Sequence, residues 1–308
     1  MKDDQSFETN TVRAYPCSSW DDFVAKVRAP SPQLSMVPAI YRGHAKTDWL
    51  LWSKLDLQLS YTVRREDGQQ VVIGHARGPN RHQKFDEICN GVFERFLKFA
   101  RTLPEAAAAT NSMELWAIGR HYGLLTPLLD WTESPYVAAF FAFADAYRQF
   151  EPRAVRSIPR RSHRDCVRVW GLRPLVPDLE RPGEFEVIRD LPIHAHRQRA
   201  QSGLFTVLWS DDFADLLSYL VHREAAHCLE HYDIPIGSTL DALQDLQLMN
   251  ITPATLFPDL FGAAWQANID VDEIRLQNLL MTEMEDLIAK EAGKERAATD
   301  QPPSASQP

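Results

Sequence analysis

The chain has 308 residues, 44% of them hydrophobic and 24% charged, with a formal net charge of −9. That much apolar material can build a large core and speaks against a disordered or fibrous protein, while the negative balance argues against a surface made wholesale for nucleic acid. Cys17, Cys89, Cys166 and Cys228 are far apart and form no CxxC pair, so neither a zinc ribbon nor a small disulfide framework is expected, and a reducing cytoplasm fits.

Residues 1–17 read as a polar leader without the basic and apolar regions of a signal peptide. The longest apolar stretch, Val137 to Ala144, is too short to span a bilayer, so no membrane association is expected. Trp20, Phe23, Val24 and Val27 recur at helical spacing behind the first-turn acids Asp21 and Asp22. Pro30 and Pro32 break that helix, and Ala39 to Gly43 reads as a short strand with Arg42 at its end. Residues 60–80 carry β-branched runs around Asp67-Gly68 and form an inserted hairpin.

From His82 to Arg101 the apolar residues Phe85, Ile88, Cys89, Val92, Phe93, Phe96 and Phe99 mark an amphipathic core helix. After a connector from Pro104 to Ala109, Met113 to Tyr122 is helical and stops at Gly123. An apolar segment runs from Leu124 to Trp131, and Ser134-Pro135 places an N-cap before a proline whose missing N–H costs nothing there, opening a buried helix through Tyr147. Residues 148–166 form an arginine-rich loop. The wider stretch holds Arg153, Arg156, Arg160, Arg161, Arg164 and Arg168, read as a solvated segment or a contact for phosphate or nucleic acid.

Val167 to Trp170, Phe185 to Ile188 and Leu204 to Trp209 read as strands, and residues 212–224, 238–250, 257–267 and 272–290 as helices. His227 and His231 have the spacing of a helical metal pair but no HExxH pattern, so no metal is expected. A C-terminal helix over 271–295 and a disordered tail over 296–308 close the chain.

Several separated blocks, in order, carry a family resemblance: Tyr41-Arg42-Gly43-His44 with Trp49-Leu50, Ile118-Gly119-Arg120-His121-Tyr122-Gly123-Leu124, Leu128-Leu129-Asp130-Trp131-Thr132 with Ser134-Pro135, then Arg199 with Gln201-Ser202-Gly203. The chain resembles FRG domains on these residues, over about 18–268, and the FRG domain is taken as 18–270. Leu51-Trp52 stands where the family more often has proline and arginine in the following strand, and Thr126-Pro127 where Thr-Arg is commoner.

A more distant similarity, to ADP-ribosyltransferases, implies an α+β fold: a mixed, mostly antiparallel sheet with a transferase-like core flanked by helices. It also implies NAD as cofactor, with Arg42 and Gln201 in the catalytic positions and Tyr41, Gly43, His121, Asp130, Thr132, Ser134 and Arg199 around the nucleotide. A guanidinium suits the pyrophosphate and hydroxyls suit the ribose. Cleaving the glycosidic bond calls for a carboxylate beside an oxocarbenium-like centre, and Arg197 to Val207 contains none.

Two functions follow. One is a nucleotide-binding enzyme that transfers ADP-ribose or cleaves NAD, in a toxin or phage-defence setting. The other is a non-catalytic module that recognises a protein or nucleic-acid partner, helped by Arg153 to Arg168. Arg42 separates them, as a ligand contact beside Ser134 or as a buried partner of Asp130.

Overall fold

The structure is a computed structural model that describes residues 10–29, 38–64, 70–78, 83–148, 165–173, 179–189 and 195–269. Two compact units divide the chain, Met1–Thr252 and Pro253–Pro308.

The first unit is a mixed helix and sheet fold. Its seven-stranded sheet takes the order β1 (Arg13–Pro16), β9 (Leu229–Pro235), β6 (Cys166–Leu172), β2 (Ile40–His44), β5 (Leu128–Thr132), β8 (Gly203–Leu208), β7 (Phe185–Ile188). Only β1 and β9 pair in parallel; the remaining neighbours are antiparallel. A separate two-stranded sheet pairs β3 (Ser60–Arg64) with β4 (Gln70–His75), a hairpin as read from the sequence.

Helices form where sequence signals place them. In α1 (Trp20–Arg28) Ser19 accepts a hydrogen bond from Asp22 N, and in α5 (Ser112–His121) Asn111 accepts from Glu114 N. The end of α5 is a Schellman turn: Leu124 N–H bonds Gly119 O at 2.8 Å, Gly123 N–H bonds Arg120 O at 3.1 Å, and Gly123 supplies the positive φ of 94°. In α6 (Pro135–Arg148) Ser134 Oγ accepts from Val137 N at 3.3 Å. The expected connector after α3 (Phe85–Ala100) contains one turn of helix, α4 (Pro104–Ala107).

Two cores cover opposite parts of the sheet. One gathers Ile40, Leu129, Trp131, Trp170, Leu172, Phe185, Leu204, Tyr219 and Leu229; the other joins Leu128 and Val207 to Leu55, Phe85, Cys89 and Trp116. Gly43 lets α6 settle on the sheet, since a Cβ there would collide with Ala138 O and lie 2.8 Å from Ala142 N. Ala138, Ala139 and Ala142 are correspondingly buried.

Some expectations need correcting. Arg42 lies in the middle of β2 rather than at its end. His227 sits in a 3-10 turn and His231 in β9, so they share no helix face. Arg13–Pro16, within the stretch read as a leader, is an edge strand of the sheet. Asp67-Gly68, residues 149–164 of the arginine-rich stretch, and the helix and tail expected beyond residue 270 lie outside the described residues.

In the second unit, α10 (Pro253–Leu256) precedes a helix over 260–269. Phe257, Phe261 and Trp265 form its ring cluster, with centroids 5.3 to 5.9 Å apart.

Candidate functional site

β2 and β5 pair at one position, Tyr41 opposite Thr132. Beyond it their ladder stops, and Arg42 fills the gap by donating from Nη1 to Asp130 O at 2.8 Å. A partly buried carbonyl left without a β2 partner is thereby satisfied by a side chain. Arg42 Nε donates to His44 Nε2 at 3.0 Å. Among the described residues Nη2 makes no hydrogen bond, and it is not sealed from solvent, consistent with a side chain 22% exposed.

The Asp130 carboxylate belongs chiefly to another arginine. Arg120, from the last turn of α5, takes it with both edges of its fork, Nε to Oδ1 at 3.0 Å and Nη2 to Oδ2, a bidentate pair of the strong kind. Arg42 Nη1 stands 3.7 Å from Oδ2. Burial pushes the Asp130 pKa up, but Arg120 first, then Arg42 and Lys54, pull it down to about 2. Burial lowers the Arg42 pKa, Asp130 partly restores it, and Arg120 opposes it. Three cations therefore act on one carboxylate; Arg120 spends its Nε–Nη2 edge on it, whereas Arg42 spends Nε and Nη1 on His44 and the Asp130 carbonyl and keeps Nη2.

The remaining expected residues split into two groups. Thr132 is buried, and its hydroxyl donates to Gln201 O at 2.6 Å while accepting from Ser134 N at 3.1 Å. Gln201 thus meets the motif through its backbone. Ser134 is the cap of α6. Tyr41 is buried on the opposite face of β2 from Arg42, as strand alternation requires; burial raises its phenol pKa, countered by Arg173. Gly43 lies under α6. His121 rests edge-on against Tyr122 at 5.0 Å, and Arg199 is exposed on α7 (Ala195–Ala200) without a hydrogen bond to Arg42, Asp130 or Thr132.

The sheet thus brings Arg42, His44, Asp130 and Arg120 together. Arg120 was missed as a site residue because nothing in linear order shows that the Schellman turn folds it onto Asp130. His44 is 3% exposed, and its ring meets that of half-open Trp49 at 5.9 Å. Burial and the Arg42 charge drive its pKa down to about 2, so the imidazole is neutral. Arg168 faces inward, bonding Asp233 at 2.6 and 2.8 Å.

The FRG domain family model matches residues 37–151. The matched span holds Arg42, His44, Arg120 and Asp130 and stops before Arg168, Arg199 and Gln201. Searches of curated proteins and of solved structures each gave no match. Among the described residues no helix is long and apolar enough to cross a membrane.

Proposed function

Because the chain is an FRG domain-containing protein, we propose that this domain recognises an anionic, nucleotide-like ligand through the open edge of Arg42 and holds it without cleaving it. The carrying observation is that Arg120 already engages both oxygens of Asp130, which leaves Arg42 Nη2 as an uncommitted donor on a charged guanidinium. A phosphate oxygen there gains a charge-assisted hydrogen bond. Lys54 contributes to the same positive field, and Trp49 offers a ring for a base to stack on.

Cleavage of NAD is disfavoured by the same geometry. The Thr132 hydroxyl is engaged as both donor and acceptor, and both oxygens of Asp130 are already taken by Arg120. The α7–β8 segment supplies Gln201, an amide that cannot stabilise an oxocarbenium-like centre as a carboxylate does. In a toxin or phage-defence setting such a domain would sense a nucleotide rather than consume it.

Equilibrium dialysis with NAD, combined with an assay for released nicotinamide, tests the reading. Retention of intact NAD is expected. Nicotinamide release that disappears in Arg42→Ala would overturn it in favour of an ADP-ribosyl-transferring enzyme.

A further inference from the structure

Arg42 stands where the β2–β5 ladder has ended, so on that side its guanidinium is placed by side-chain contacts rather than by strand pairing. Two hydrogen bonds place it, Nη1 to Asp130 O at 2.8 Å and Nε to His44 Nε2 at 3.0 Å. A third influence pulls against them: the Asp130 carboxylate, whose Oδ2 lies 3.7 Å from Nη1. A guanidinium free to turn would swing onto that carboxylate, and its open edge would close.

His44 is placed to resist that turn. Two positions along β2, it projects from the same face of the strand as Arg42. Arginine Nε can only donate, so His44 Nε2 is the acceptor and the proton of the neutral ring lies on Nδ1. Nδ1 is buried and faces the Trp49 backbone, in a contact outside normal hydrogen-bond geometry. The ring is 3% exposed and sits edge-on to Trp49 at 5.9 Å, so packing holds it where Arg42 meets it. An imidazole is also an acceptor without charge. A carboxylate in its place would orient Arg42 as well, but would cancel the charge that a ligand is to meet.

We propose that His44 is the positioning residue of the anion site: by accepting from Arg42 Nε it keeps the guanidinium off the Asp130 carboxylate, with Nη2 turned outward and its charge intact. This rests on the anion-binding reading above. With Nε and Nη1 committed, a ligand oxygen meets Nη2 alone rather than a fork of two nitrogens.

The experiment uses the full chain, labelled with 15N at arginine and histidine, as wild type, His44→Gln and His44→Leu. In the wild type without ligand, Arg42 Nε and His44 Nε2 are expected to show a scalar coupling across their hydrogen bond, with the ring protonated on Nδ1. A ring protonated on Nε2, or an Arg42 Nε–H that exchanges as freely as that of an exposed arginine, overturns the proposal whatever the ligand does. In calorimetric titration with ADP-ribose, His44→Leu is expected to bind about tenfold more weakly than wild type, while His44→Gln, whose side-chain oxygen can accept from Nε, stays within about threefold. His44→Phe, which keeps a ring and removes the acceptor, takes the place of His44→Leu where that variant does not fold. A residue that only packs would lower stability in these variants and leave the affinity of the folded protein unchanged. Binding by the acceptor-free variant as tight as wild type or tighter therefore overturns the proposal, as does His44→Gln binding no better than that variant. Binding weakened in Arg42→Gln but not in the acceptor-free variant overturns this proposal alone. Failure of ADP-ribose to bind the wild type overturns the anion-binding reading and this proposal with it.

Discussion

Two arginine–aspartate clusters in the first unit have opposite fates. Arg77, just past β4, sends Nη1 to the carbonyls of Leu208, Ser210 and Phe213, brings Nη2 within 2.9 Å of Asp56 Oδ1, and lays its face 3.1 Å from the Phe85 ring centroid. Arg42 has one carbonyl, one imidazole and one open edge. The aspartates diverge in step. Burial raises the Asp56 pKa despite Arg77, whereas Asp130, with a side chain 43% exposed, is drawn down to about 2 by Arg120 and Arg42 against its desolvation. A sealed guanidinium whose Nη1 holds three carbonyls and whose Nη2 lies against Asp56, with Nε buried and unbonded, is a strut; a half-open one beside an already paired carboxylate can serve the fold and still take a ligand.

The largest expected effect comes from the strut. Arg77→Ala strips three carbonyls of their donor and leaves Asp56 buried without its cation, which costs about 3–5 kcal/mol in chemical denaturation. Its ligand affinity, measured where it remains folded, should equal that of wild type. A stability loss under about 1 kcal/mol would mean that the buried pair matters less than its geometry implies.

Next comes acid. His44 has a folded pKa far below its ordinary value, so below about pH 6.5 the unfolded chain binds a proton that the native chain refuses. Its contribution is fully present above that pH and is lost as pH falls, by up to about 1.4 kcal/mol per pH unit. Denaturation midpoints between about pH 7 and 5 should show this slope, and His44→Gln should reduce it. His75, whose burial also lowers its pKa, adds a slope of the same sign. An unchanged slope in His44→Gln would show that the surroundings of His44 are open enough to admit a charged imidazole.

A smaller effect separates scaffold from site. Thr132→Val keeps the shape but removes the bonds to Gln201 O and Ser134 N, costing about 1–3 kcal/mol and leaving ligand affinity unchanged. A loss of affinity larger than the loss of stability would return Thr132 to the ligand.

Much of the local structure was legible in the sequence. The start of α6 followed from Ser134-Pro135, and the end of α5 from Gly123, because caps are set by residues only a few positions apart. β9 was not read, since His227, Cys228, Glu230 and His231 obscure the alternation of Leu229, Tyr232 and Ile234 and suggest a metal pair instead. The edge strand Arg13–Pro16 exists through pairing with residues more than two hundred positions away, which no local pattern reveals. The site was legible at Arg42 and Asp130 as a pair of special residues. Their division of labour was not, because it turns on Arg120 arriving through the Schellman turn and on Gln201 acting through its carbonyl.

The central claim is that Arg42, unlike Arg77, has an edge to give. Calorimetric titration of ADP-ribose into wild type and Arg42→Gln at neutral pH and low salt tests it most directly. Loss of a charge-assisted hydrogen bond worth about 1.5–3 kcal/mol should weaken binding by about tenfold or more in the variant. Equal affinity in the two proteins would contradict the account and leave Arg42 a strut like Arg77.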